Sequence, residues 1–213
     1  MGIEFELKYA AAPETQAQIR AFLGEDFREY AMETTYYDTP GGALSARHWT
    51  LRRRLENGLS VCTLKTPAGD MGRGEWDCEA DSIEEAIPIL CKLSGQTELA
   101  ALTAHGVTPT CGARFTRLAW SVEWNGSELE VSLDAGVLTG GGSALPLCEV
   151  EVELKSGARE DAVSFANMLA EKSPLTPEPR SKFRRALDLA DEGQPRGTIK
   201  INSYREGRIL WRN

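Results

Sequence analysis

Two runs of alternating charge hold the densest chemistry in this chain: Glu4-Phe5-Glu6-Leu7-Lys8, and Glu149-Val150-Glu151-Val152-Glu153-Leu154-Lys155. In an extended strand, side chains at i and i+2 share a face. Each run therefore collects its charges on one side and sets Ile3, Phe5, Leu7 or Val150, Val152, Leu154 on the other. Two carboxylates about 5 Å apart repel by roughly 3 kcal/mol at an effective dielectric near 20. A cation held among them removes that penalty, and an amphipathic strand with its charged face in water largely avoids it. For either run alone, both readings stand.

The same alternation recurs along the chain. Arg52 and Arg54 share one face of Leu51–Leu55, and Thr63 and Lys65 lie together opposite Cys62 and Leu64. Arg73, Glu75, Asp77 and Glu79 oppose Trp76 and Cys78, and Glu128, Glu130, Ser132 and Asp134 oppose Leu129, Val131 and Leu133. Long β-rich segments, each backed by one apolar face, form either an open sheet with a wet charged side or a closed sheet with a polar bore. Parity does not separate the two. Dense Arg and Lys beside dense Glu favours the bore, because that mixture suits a polyanion complexed with metal.

The elements that must position these faces follow from the turn signals. A strand at 3–9 leads to a helix near 14–23 opened by Pro13, and a strand at 30–38 ends at Asp38-Thr39-Pro40-Gly41-Gly42. Strands at 49–56 and 59–66 flank Asn57-Gly58, a favoured tight hairpin pair, and another strand covers 73–79. Ser82 and Glu85 form a capping box at the start of a helix, followed by a short helix at 96–104. Strands are expected at 114–124, 127–134, 136–139 and 146–155, then helices at 159–172 and 180–191. The expected architecture is α+β: a closed antiparallel barrel of eight strands with peripheral helices. The domain is placed at residues 1–192, with 193–213 as a tail that could add a small hairpin.

Composition sets limits. A chain of 213 residues, 41% hydrophobic and 26% charged, is long enough for a substantial core. A formal charge of −8 argues against general nucleic-acid binding but not against a small anion, since local charge decides that. Five cysteines without CxxC spacing read as reduced thiols, three of them on the apolar parity of their strands. There is neither a signal peptide nor a membrane-length apolar run, so a cytoplasmic protein without membrane partners, monomeric or homodimeric, is expected.

Taken in order, these segments resemble the CYTH family, the triphosphate tunnel metalloenzymes. The resemblance rests on Glu4-x-Glu6-x-Lys8, Tyr36-Tyr37-Asp38-Thr39-Pro40, Leu51-Arg52-x-Arg54, Thr63-Leu64-Lys65, Arg73-x-Glu75, Arg117, Glu130-x-x-x-Asp134, Glu149-x-Glu151-x-Glu153 and Ser181-Lys182 with Arg185. It implies an eight-stranded tunnel, a triphosphate-containing substrate and dependence on Mg²⁺ or Mn²⁺. Glu4, Glu6 and Glu151 are then the first-choice ligands of one ion, as hard oxygen donors suit Mg²⁺. Glu75, Asp134 and Glu153 are candidates for a second, weaker ion that would acidify a water, with Glu79, Glu130 and Glu149 around them. Lys8, Arg52, Arg54, Lys65, Arg73, Arg117, Lys182 and Arg185 form the phosphate-binding set, and Lys8, Lys65 and Glu153 the catalytic one. Paired guanidinium donors fit phosphate oxygens, while lysines act as point charges.

The family hosts several activities. The glutamate run followed by Leu154-Lys155-Ser156-Gly157 resembles the bacterial inorganic triphosphatase branch, and the His-Phe pair that precedes ExExK in the cyclase branch is missing here. The leading expectation is hydrolysis of inorganic triphosphate (tripolyphosphate). Nucleoside or thiamine triphosphate hydrolysis, class IV adenylyl cyclase activity and non-catalytic polyphosphate or nucleotide binding are the alternatives. His48 and His105 lie off the charged faces and carry no expected role. Tyr36-Tyr37 reads as packing around the Asp38 turn, with Tyr37 the one that would reach a ligand; Trp49, Trp120 and Trp124 read as outer core.

Overall fold

Alternating apolar faces draw the strands into one curved antiparallel sheet, seen in a computed structural model that describes residues 5–67 and 73–193. Glu4, the side chain of Arg73 and the tail with its expected hairpin lie outside the described residues. The strands are β1 (Phe5–Ala10), β2 (Arg28–Asp38), β3 (Thr50–Glu56), β4 (Leu59–Pro67), β5 (Arg73–Glu79), β6 (Thr108–Trp124), β7 (Ser127–Gly140), β8 (Ser143–Ser156) and the short β9 (Thr176–Pro177). Their spatial order is β5-β4-β3-β2-β6-β7-β8-β1-β9.

The hairpins sit where the turn signals put them. Asn57 and Gly58 have φ of 50° and 90°, and Asn125 and Gly126 have 52° and 88°, the left-handed pairs that a twisted two-residue hairpin needs. The two strands expected at 127–134 and 136–139 are instead one continuous β7, and β6 begins at Thr108 rather than 114. Gly136 removes the side chain that would interrupt β7: a Cβ there would lie 2.2 Å from the Arg114 carbonyl oxygen.

Closure is the larger correction. The expected barrel of eight strands is an open sheet of nine, whose edges among the described residues are β5 and β9. β9 takes the outer edge of β1 at Tyr9 and Ala10, so β1 spends that edge on a local partner rather than on β5. The sheet still curls enough to bring side chains of β1 and β5 to a common hollow.

Three apolar clusters hold the layers. On the convex side, α1 (Pro13–Leu23) and α4 (Arg159–Lys172) place Ile19, Phe165 and Leu169 over Leu129, Val131, Val150 and Val152. Also convex, α2 (Ile83–Ser94) and α3 (Glu98–Leu102) cover Leu51, Cys62, Leu64 and Trp49, and Ser82 caps α2 by accepting from the Glu85 amide at 3.2 Å. The third cluster departs from the expectation that helices lie outside. α5 (Lys182–Gly193) packs on the concave face, where Met32, Tyr36, Ala113, Phe115, Leu138 and Leu147 leave one end of the hollow apolar. Small residues admit it: a Cβ on Gly140 would stand 2.2 Å from the Ala186 carbonyl oxygen. All five cysteines are unpaired, and burial pushes the Cys62 and Cys111 thiols up to about 11.

Candidate functional site

Strand register assembles the site in rows. β1 and β8 set Glu6 opposite Glu153 and Lys8 opposite Glu151, β8 and β7 set Glu149 opposite Asp134, and Asp134 in turn faces Arg117 of β6. On the far wall, Arg52 lies opposite Thr63, and Lys65 opposite both Thr50 and Glu75. The apolar parity of each strand is taken by the convex clusters, so these charges share the concave side. They surround a cavity of about 1220 Å³ whose walls, among the described residues, carry nine cationic and six acidic side chains. The cavity is thus net positive inside a chain of formal charge −8. An anion is the ligand such a field selects.

Carboxylates hold several of the wall cations in place. Lys8 donates to Glu6 at 2.8 Å, Lys65 lies 2.8 Å from Glu75, and Arg52 approaches the same Glu75 at 3.4 Å. Arg54 is different. It donates to Thr34 Oγ1 at 3.1 Å, and its nearest carboxylate, Glu56, stands 3.5 Å away. Burial, and then the neighbouring Arg52, push its guanidinium down to about 10, leaving it charged at neutral pH but poorly compensated. The buried Arg52 Nε has no hydrogen-bond partner. These are donors waiting for acceptor oxygens.

The floor and the layer beneath it form a balanced network of three carboxylates and three cations, all buried or nearly so. Asp134 receives Arg117 through both oxygens at 2.7 Å, and Arg117 also reaches Glu151 at 2.5 Å. The Lys182 ammonium sits among Asp134 (2.8 Å), Glu149 (2.5 Å) and Glu151 (2.6 Å), and Arg185 donates to Glu149. Burial opposes ionisation of both glutamates. At Glu149 burial prevails and the carboxyl rises, whereas at Glu151 Lys182 and Arg117 outweigh it and the carboxyl falls well below its usual range. Burial would lower Lys182 as well, but Glu151, Asp134 and Glu149 drive it upward. The Phe115 ring lies under both cations, 5.9 Å from the Arg117 guanidinium carbon and 5.4 Å from the Lys182 nitrogen.

Of the residues expected from the sequence, Glu6, Lys8, Arg52, Arg54, Lys65, Glu75, Arg117, Glu151, Glu153 and Lys182 all line this one cavity. Asp134 and Arg185 do not line it; they belong to the buried layer beneath. Glu149 lies there too, while Glu130 sits at the periphery with Arg28 at 2.9 Å. Asp77, Arg180 and Arg184 line the cavity without having been assigned a role. The parity of Asp77 was legible, whereas no local pattern aims Arg180 or Arg184 at a sheet distant in sequence. Tyr36, not Tyr37, reaches the cavity and packs on Phe183 of α5 at 4.9 Å, while Tyr37 packs outward with the α2–α3 cluster. Asp38 organises the turn, accepting from the amides of Thr39, Leu44 and Ser45 at 2.7–2.9 Å.

A curved antiparallel sheet that collects basic and acidic side chains from many strands into one hollow defines an α+β domain with a charged cavity. The chain belongs to the CYTH domain family, which it matches over residues 2–187. It is 30% identical over 197 residues to the inorganic triphosphatase of Haemophilus influenzae, covering 89% of this chain and 55% of that protein. The chain therefore spans about half the length of that relative. Two solved structures share the fold. One is a Pyrococcus horikoshii OT3 protein (TM-score 0.60, 23% identity, 87% of this chain and 98% of that one). The other is a Hippeastrum protein described with a dominant triphosphatase activity (TM-score 0.60, 17% identity, 91% and 98%).

The donor set can be tested against a divalent ion of the kind the family implies. Glu6, Glu151 and Glu153 offer hard carboxylate oxygens at the cavity wall, and Asp134, Glu149 and Glu151 have ligand atoms within 4.8 Å of one another. Glu149 Oε2 is buried and lies 2.5 Å from the Lys182 nitrogen, a position a cation already occupies. These residues fit a hard divalent cation.

Proposed function

We propose that this chain is a metal-dependent triphosphatase that removes the terminal phosphate of inorganic triphosphate within the charged cavity. The observation that carries the reading is the cavity's excess of cations interleaved with carboxylates in an otherwise acidic chain. The relative from Haemophilus influenzae supports the substrate. Arg52, Arg54, Lys65, Arg117, Lys8 and Lys182, with Arg73, are assigned to the phosphate oxygens. Among them the under-compensated Arg54 gains most from an arriving anion. Lys8 and Lys65, each steadied by a carboxylate, neutralise charge that develops on the departing pyrophosphate. Mg²⁺ or Mn²⁺ held by Glu6, Glu151 and Glu153, with Glu4, would supply Lewis-acid charge neutralisation and lower the pKa of water. Glu153, at the half-open end of the β8 row, orients the attacking water and accepts its proton. Glu75 holds Lys65 and Arg52, and Asp134 holds Arg117, so both shape the cationic wall.

A second reading, nucleoside or thiamine triphosphate, is favoured by one observation. The cavity exceeds the roughly 300–1,000 Å³ typical of small-molecule pockets, which leaves room for a group attached to the phosphates. A parallel assay of phosphate release from triphosphate, ATP and thiamine triphosphate, with Mg²⁺ or Mn²⁺, separates the two. Equal release from ATP would overturn the substrate assignment, and cyclic AMP formation would overturn the reaction class. Glu6→Gln is expected to abolish turnover and Lys65→Ala chiefly to raise KM.

A further inference from the structure

Cys62 and Cys78 stand directly opposite each other on the antiparallel strands β4 and β5, and both belong to the convex cluster under α2 and α3. Two residues further along, the Ala80 amide donates to the Ser60 carbonyl oxygen at 3.4 Å, so the cysteine pair likewise falls at a hydrogen-bonded position of the ladder. The Cα atoms of such a pair stand about 5.5 Å apart, a spacing common in disulfides. Their Cβ atoms need to close by only about 1 Å. The other three cysteines face different groups: Cys111 lies opposite Gly140, Cys148 opposite Ala135, and Cys91 meets the Ala100 backbone of α3.

The two thiols differ in access. Cys62 is fully buried, with its sulfur 3.9 and 3.8 Å from the Ala80 and Ser82 carbonyl oxygens, whereas Cys78 is half-buried on β5, an edge of the described sheet. A reagent from solvent therefore meets Cys78 first. Burial pushes the Cys62 thiol up to about 11, which leaves it inert toward solvent reagents and reactive only toward a sulfur placed beside it.

We propose that Cys62 and Cys78 form a reversible disulfide site that responds to low-molecular-weight disulfides and, when closed, alters the cavity wall behind it. The Cys78 thiolate attacks the small disulfide and expels one half as a thiol; the Cys62 thiolate then attacks the Cys78 sulfur and expels the other half. The two cysteines lose two electrons, the small disulfide gains them, and the two cysteine protons end on the released thiols. The wall responds because the sheet is curved. Convex side chains splay and concave ones converge, so drawing two Cβ atoms together on the convex side flattens β4 against β5. The concave pairs along the same ladder are Thr63–Asp77, hydrogen-bonded at 2.5 Å, and Lys65–Glu75 at 2.8 Å. Flattening separates both pairs and draws Lys65 away from the phosphate path. This coupling rests on the triphosphate reading above, whereas the disulfide itself does not.

The first measurement uses no substrate. The unaltered chain is incubated with glutathione disulfide, alkylated in denaturant, and mapped after digestion with trypsin and a glutamate-specific protease, which separates Cys78 from Cys91. The Cys62–Cys78 link is expected at least tenfold over any other cysteine pair, and dithiothreitol should reverse it. A Cys78 that stops at the glutathione adduct while Cys62 is alkylated, or links spread evenly over the cysteines, overturns the site. Cys78→Ala should leave Cys62 unmodified, and a glutathione adduct on Cys62 in that variant would refute the order of attack.

The second measurement compares KM for inorganic triphosphate, with Mn²⁺, in the reduced and the linked chain. Oxidation is expected to raise KM several-fold in the unaltered chain and to leave Cys78→Ala unchanged. Equal KM in the two states removes the coupling and keeps the disulfide. A chain that forms the link and hydrolyses triphosphate in neither state keeps the disulfide and loses the function.

Discussion

Replacing Asp134 by Asn changes no volume and removes one charge, which makes it a stringent test of the buried network. Asp134 is 0% exposed; its Oδ1 accepts Arg117 Nε and its Oδ2 accepts Arg117 Nη2, both at 2.7 Å, and Oδ2 is also ion-paired with the Lys182 ammonium at 2.8 Å. An amide has only one oxygen. Whichever way it turns, its NH₂ group faces at least one cationic donor, and the six-charge cluster is left with an uncompensated positive charge. Removing one partner of a buried ion pair typically costs about 3–5 kcal/mol. For a domain of this size, each kcal/mol shifts the melting midpoint by roughly 2–4 °C, so a fall of about 6–20 °C is expected. Glu130→Gln is the matched control on the same face of β7. Its partner Arg28 is 57% exposed, and an exposed pair is worth about 0–1 kcal/mol. Thermal melts and urea titrations of the three proteins decide the matter. An Asp134→Asn variant within about 1 kcal/mol of wild type, or no less stable than Glu130→Gln, would refute the reasoning.

Three further outcomes follow from the same geometry. Arg54→Met should weaken triphosphate binding by about tenfold to a hundredfold, the worth of a hydrogen bond to a charged group, without lowering stability. Burial and Arg52 already hold that guanidinium down near 10; unchanged affinity by calorimetry, or a marked loss of stability, would contradict this. Glu178 is held at about 2, first by its hydrogen bond from Arg180. Because that value lies below the ordinary 4.5, its contribution is present above about pH 4.5 and is lost as pH falls through 2. Melting midpoints of wild type and Glu178→Gln should therefore differ at pH 6 and converge near pH 2, and a constant gap would count against the assignment. Gly140→Ala drives a methyl group into the α5 backbone at Ala186 and should cost about 1–3 kcal/mol. Faster proteolysis within α5 would report its undocking, and an unaltered digestion pattern would argue that α5 is held elsewhere.

What the sequence determined is local. Strand parity follows from geometry between residues two apart, so the shared face of Glu6 and Lys8, of Arg52 and Arg54, and of Glu151 and Glu153 could be read directly. Asn57-Gly58, Asn125-Gly126, Pro13 and the Ser82 cap are equally local, since each depends on φ or on a hydrogen bond within a few residues. Those signals sufficed to bring ten of the expected residues into one cavity.

Tertiary structure decided the depth at which each charge sits and which partner it meets. Parity assigned Asp134 and Glu149 to the same face as Glu151 and Glu153, yet the first two are sealed beneath the floor while Glu153 stays at the wall. The difference arises from α5, whose Lys182 and Arg185 meet Glu151 and Glu149 across 31 and 36 residues of chain. Its seat on the concave face depends on Gly140, Phe115 and Leu147, positions that no helical periodicity within α5 encodes. Closure was undecidable for the same reason. Whether the edge of β1 pairs with β5 or with the short β9 is a competition between distant segments, settled by chain connectivity and packing rather than by the alternation within any strand.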